Sequence, residues 1–137
     1  MPTIDAKALI QRIRPVLAKR GDVTLALLFG SQARGRAIEA SDIDIAVMAP
    51  RDALLAIGAE VSAAIGREVD VLALEDANIP MQDALVREGL MIYEREKGAA
   101  ARWRTHTMLD LEIDLPWFRR MRDAWLNRVA ERGLLDG

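Results

Sequence analysis

Asp42 and Asp44 are separated by one residue, so on an extended strand they project from the same face. Two carboxylates held a few ångströms apart repel each other unless a cation joins them. Mg²⁺ suits such a pair, because it is a hard ion held by one or two carboxylates together with substrate phosphates. Asp70 lies inside the apolar run Val69-Asp70-Val71-Leu72, where an unpaired charge is costly. If that run pairs beside the Asp42-Asp44 strand, three carboxylates converge. Three carboxylates can hold two metal ions, one gripping a triphosphate and one activating an attacking hydroxyl. Asp70 is then the group best placed to bridge to the nucleophile or take its proton.

A second feature precedes the first, with ten residues between Ser31 and Asp42. Gly30-Ser31 ends an apolar strand and opens a helix start. Glycine lets the backbone approach an anion closely, and the helix start offers free N–H groups to phosphate oxygens. The Ser31 hydroxyl adds a donor. Arg34, about one helical turn on, adds a guanidinium fork suited to phosphate. Nucleotidyl transfer asks mainly for positioning and charge neutralisation, which this set supplies.

These residues need elements to hold them. Thr3 to about Arg20 reads as an amphipathic helix carrying Leu9, Ile10, Ile13, Val16 and Leu17, with Thr3 as N-cap, Gly21 as stop and a kink or split at Pro15. Val23 to Phe29, Ile43 to Met48 and Glu68 to Leu74 read as strands. Ser31 to Ala37 is a loop entering a short helix, and Asp52 to about Ile65 is an Ala-rich helix ending near Gly66. Pro80 opens a helix that stops at Gly89, and Leu90 to Tyr93 adds a short edge strand. From Glu94 to about Arg132 the pattern is helical, broken at Pro116. The order predicts an α/β (α+β) fold, a mixed sheet covered by helices with a helical tail.

Composition narrows the class. The chain has 137 residues, 51% of them hydrophobic and 29% charged, with a net charge of -2. One domain with one core is expected. The near-neutral balance argues against a nucleic-acid coat protein and against intrinsic disorder. Cysteine is absent, which excludes disulfides and thiolate metal sites. The opening residues lack a basic stretch followed by an apolar run, and no apolar stretch approaches the ~20 residues that cross a bilayer. A cytoplasmic protein without membrane contact is the expectation.

Gly30-Ser31-Gln32-Ala33-Arg34-Gly35, then Ser41-Asp42-Ile43-Asp44-Ile45-Ala46-Val47, then Glu68-Val69-Asp70-Val71-Leu72, resembles the polymerase-beta-type nucleotidyltransferase signature, in its minimal nucleotidyltransferase (MNT) branch. The resemblance covers about residues 20 to 95. It implies Mg²⁺ binding by Asp42, Asp44 and Asp70, triphosphate contact by Gly30 and Ser31, and a substrate or acceptor contact by Arg34. The chain is expected to divide into a minimal nucleotidyltransferase domain over residues 1–98 and a helical tail over 99–137, a candidate partner-docking segment. MNT proteins of this size resemble antitoxins paired with HEPN-domain ribonuclease toxins. That likeness implies transfer of AMP from ATP to a toxin tyrosine, in a hetero-oligomer, with no direct nucleic-acid contact. Two other readings stay open: transfer to a small molecule, as in aminoglycoside nucleotidyltransferases, and inhibition of a toxin by binding alone.

Other side chains read more plainly. His106 is the one histidine and reads as a surface or interface residue, and Glu68 reads as exposed. Asp110, Glu112 and Asp114 lack an EF-hand spacing and read as a solvated face or partner contact. In the tail, Trp117, Met121, Trp125 and Val129 are spaced by four, one stripe on a helix beside Arg119, Arg120 and Arg122. That stripe suits core packing or a docking surface, where tryptophan and arginine are enriched.

Overall fold

In the computed structural model, residues 5–30 and 42–133 are described. Among these residues four strands form one mixed sheet in the order β3-β2-β1-β4: β1 (Leu25–Phe29), β2 (Ile43–Met48), β3 (Val69–Ala73) and β4 (Leu90–Glu94). β1 runs antiparallel to both β2 and β4, and β2 runs parallel to β3. The parallel pair is joined by a 3₁₀ turn (Arg51–Ala53) and helix α2 (Leu54–Ile65), as a parallel crossover requires. Helix α1 (Ala6–Lys19) precedes the sheet, and α3 (Ile79–Glu88) and α4 (Ala99–Arg132) complete it.

Strand alternation sorts the core into two layers. On one face Leu28, Ile43, Ile45, Val47 and Ile92 pack with Leu9, Ile13 and Leu17 of α1 and Ile57 and Val61 of α2. On the other, Leu25, Leu27, Ala46 and Leu72 pack with Leu85 of α3 and with Ala100 and Trp103 of α4. The α/β reading of the sequence holds, with boundaries shifted by a few residues.

Several local expectations are corrected. The N-cap of α1 is Asp5, whose carboxylate accepts from Lys7 N, and Thr3 lies outside the described residues. The cap at its far end is Arg20, one residue before Gly21. Asn78 caps α3 by accepting from Met81 N, and Pro80 sits in the first turn. Pro15 and Pro116 each lie inside an unbroken helix, so α4 runs through position 116. A proline frees the carbonyl four residues before it, here those of Gln11 and Glu112. All four residues are exposed, so water can satisfy those carbonyls while the flanking turns continue. Among the described residues, no helix is long and apolar enough to cross a membrane.

α4 starts at Ala99 because β4 runs on to Glu94 and Gly98 turns the chain at φ 96°. The Glu94 carboxylate accepts from Gly98 N at 3.2 Å and Ala100 N at 2.9 Å, satisfying donors that a helix start leaves open. Those two bonds, Ala100 first, hold the Glu94 carboxyl below its ordinary value of 4.5. A depressed folded pKa contributes stability that is present above 4.5 and lost as pH falls through the folded value. Glu94→Gln is therefore expected to lower Tm at neutral pH, with the gap to the parent closing in acid. A gap that stays constant from pH 7 to pH 3 would show that the charge has no such role.

Only the first part of α4 is packed. Trp103 joins the second core layer, and Thr107 and Leu111 are buried. Farther on, Trp117, Met121 and Trp125 are each about half exposed. Three of the four stripe residues thus lie on the surface and Val129 is half-buried, while Trp103 packs against the core.

Candidate functional site

The chemistry-bearing residues gather at one end of the sheet, where β1 ends and β2 and β3 begin. Ile43 and Ile45 belong to the first core layer, so the intervening Asp44 points to the opposite face. The same alternation applies to Asp70 between Val69 and Val71. Asp44 and Asp70 are register partners across the parallel β2–β3 pair, which sets them side by side on one face. Asp42 stands just ahead of β2 and is exposed, as is Asp70, whereas Asp44 is half-buried.

Gly30 closes the other side of Asp44. Phe29 is the register partner of Asp44, and Gly30 follows at φ 75°. A Cβ built on Gly30 would lie 2.7 Å from Asp44 Oδ2. The position thus demands glycine twice, for its left-handed backbone and for its missing side chain.

Electrostatics agree with a cation-seeking site. Burial is the largest influence on Asp44, followed by the negative charges of Asp70 and Asp42, and all three push its carboxyl above the ordinary value. Among the described residues, no three His, Asp or Glu side chains stand close enough to hold a metal ion as they are. A divalent cation is what would join such carboxylates. The donor set is all carboxylate oxygen, which fits Mg²⁺ rather than a softer metal. Ser31 and Arg34, with the short helix expected over 31–37, lie outside the described residues.

A family model for "Polymerase beta, Nucleotidyltransferase" matches residues 11–98. The chain belongs to this nucleotidyltransferase family. Its matched span runs from α1 through β4 and contains Gly30, Asp42, Asp44 and Asp70. A search of curated proteins gives no significant match. Among solved structures, a toxin–antitoxin crystal structure with AMP-PNP aligns at TM-score 0.66 and 21% identity, covering 93% of this chain and 99% of that one. The MntA-HepT toxin–antitoxin structure aligns at 0.65 and 20%, covering 90% and 98%. A complex of tri-AMPylated HEPN toxin with MNT antitoxin from Shewanella oneidensis aligns at 0.65 and 20%, covering 91% and 98%. At these identities the likeness shows the nucleotidyltransferase fold, long C-terminal helix included.

The sequence reading overlooked the flank of this site. Gly58 sits inside α2, where a Cβ would come within 3.2 Å of Val71 Cγ2. A glycine in mid-helix was the available signal, since glycine there costs helix stability and marks a close approach.

Proposed function

We propose that this nucleotidyltransferase is an antitoxin-type protein adenylyltransferase, moving AMP from ATP to a tyrosine of a HEPN-domain toxin. The observation that carries the reading is the Asp44–Asp70 pair beside the Gly30 backbone. Further support comes from the fold shared with antitoxins whose structures hold AMP-PNP or an AMPylated toxin. In this proposal Asp42, Asp44 and Asp70 hold Mg²⁺, which when bound neutralises phosphate charge and lowers the pKa of the attacking hydroxyl. Gly30 admits the triphosphate close to the backbone, Ser31 donates to a phosphate oxygen, and Arg34 contacts substrate or acceptor. The tyrosine oxygen attacks the α-phosphorus, its O–P bond forms, the α–β bridging P–O bond breaks and pyrophosphate leaves. Asp70 receives the hydroxyl proton. Residues 1–98 carry the chemistry, and the exposed outer stripe of the 99–137 tail gives the toxin a docking surface.

ATP labelled at the α-phosphate tests this against the other readings. With Mg²⁺ present, label on the HEPN toxin is expected; label on an aminoglycoside, or on nothing, would select small-molecule transfer or binding alone. Within the same assay Ser31→Ala is expected to weaken ATP use. Losing one donor to a charged phosphate costs about 1.5–3 kcal/mol, which corresponds to roughly 10- to 150-fold in kcat/KM for ATP. An unchanged ATP dependence would remove Ser31 from the phosphate contacts.

A further inference from the structure

Among the described residues the sheet ends at β3, which pairs with β2 alone and so forms an edge beside Asp70. Ile43 N donates to Glu68 O at 3.3 Å. In a parallel ladder the residues in step with Glu68, namely Asp70 and Leu72, then turn their backbone groups toward β2. Val69 and Val71 turn theirs outward. Their side chains belong to the face of α2, while Asp70 projects on the opposite face beside Asp44.

A groove of about 560 Å³ runs along this edge between β3 and α2. Its α2 wall is Leu54, Leu55, Gly58 and Ala59, and its β3 wall runs from Glu68 to Val71. Leu55 is 88% exposed, an apolar side chain standing over the groove with nothing covering it among the described residues. An exposed strand edge is a template for a further strand, and proteins usually cover or blunt it. Here an apolar trough accompanies the edge on the α2 face, behind the strand position whose carboxylate projects on the side of the candidate site.

We infer that the β3 edge holds the reacting segment of the acceptor, apart from the tail stripe that docks its body, taking that extended segment as an added strand. The inference rests on the proposed transfer reaction and names how its acceptor is held. A strand added at about 4.8 Å continues the row Asp44, Asp70 with one residue of the acceptor on the same face. A hydroxyl side chain at that position lies next to the group assigned to receive its proton. The residues on either side of it project to the α2 face and meet Leu54, Leu55 and Ala59. The segment recognised is therefore a hydroxyl residue between two apolar ones. Main-chain bonds to Val69 and Val71 supply affinity, and the alternating side chains supply selectivity.

The probe is the peptide acetyl-Lys-Val-Tyr-Val-Lys-amide, compared with a twin N-methylated at its three central residues. With ATP and Mg²⁺ the first is expected to accept AMP, and the twin, stripped of its main-chain donors at those three residues, to lose at least roughly tenfold in kcat/KM. Leu55→Glu, at a side chain the fold does not bury, is expected to raise KM for the peptide roughly tenfold with kcat and the KM for ATP held. Equal use of the two peptides, or an unaltered peptide KM in the Leu55→Glu protein, would overturn edge docking. Label on the HEPN toxin with none on the peptide would overturn it too, and leave the transferase standing. Label on no acceptor at all would remove the proposed function, and this inference with it.

Discussion

Asparagine at both 42 and 44 is expected to lower nucleotidyl transfer by at least roughly 10³-fold while leaving the fold intact. The proposed chemistry depends on neutralising phosphate charge, and a bound metal ion supplies several kcal/mol of that stabilisation. About 4 kcal/mol corresponds to that factor in rate. The fold should not suffer, because Asp42 is exposed and Asp44 is held above its ordinary pKa by burial and by its acidic neighbours. Removing crowded negative charge relieves repulsion. Apo Tm should stay level or rise, while stabilisation by MgATP disappears. Steady-state rates and melting curves, taken with and without MgATP on one preparation, give both numbers. Full activity in the double variant would sink the assignment of these carboxylates.

Gly30→Ala should also damage activity, less severely and by a different route. Its backbone sits at φ 75°, where an L side chain costs about 1–2 kcal/mol. The new Cβ also arrives 2.7 Å from Asp44 Oδ2, so the carboxylate must move. Displacement of a catalytic group by about 1 Å can cost roughly 10²-fold. Gly66 supplies the control. It caps α2 at φ 70° with nothing within 4 Å of an added Cβ. Gly30→Ala and Gly66→Ala should thus lose similar stability, but only Gly30→Ala should lose transfer. Equal activity in the two variants would mean that contact with Asp44 does not matter.

Much of this arrangement was legible in the residues, for identifiable reasons. β2 and the body of β3 announce themselves as short branched apolar runs. An aspartate inside each such run stands out because its charge has no apolar excuse. The pairing of Asp44 with Asp70 depends on sheet order, which no local pattern encodes. Periodicity also failed at the prolines. Pro116 breaks a pattern on paper, yet it costs little on a helix face where Glu112 and its carbonyl meet water. The start of α4 was misjudged because Glu94 belongs to a strand and caps the next helix from outside it. The tail stripe gave a spacing compatible with core or interface, and only burial separated Trp103 from Trp117 and Trp125. The β3 edge was invisible, since an edge is defined by what is not beside it.

The central claim is that Asp44, paired with Asp70 and backed by Gly30, directs AMP onto a protein hydroxyl. Intact-mass measurement of a purified HEPN toxin after incubation with this protein, ATP and Mg²⁺ tests it most directly. The account predicts toxin heavier by one or more AMP units with the parent protein. It predicts unmodified toxin with Asp44→Asn, and with the parent protein once EDTA has removed the metal. Toxin that is silenced by the parent protein yet keeps its original mass, or that gains AMP equally from the Asp44→Asn protein, would contradict it.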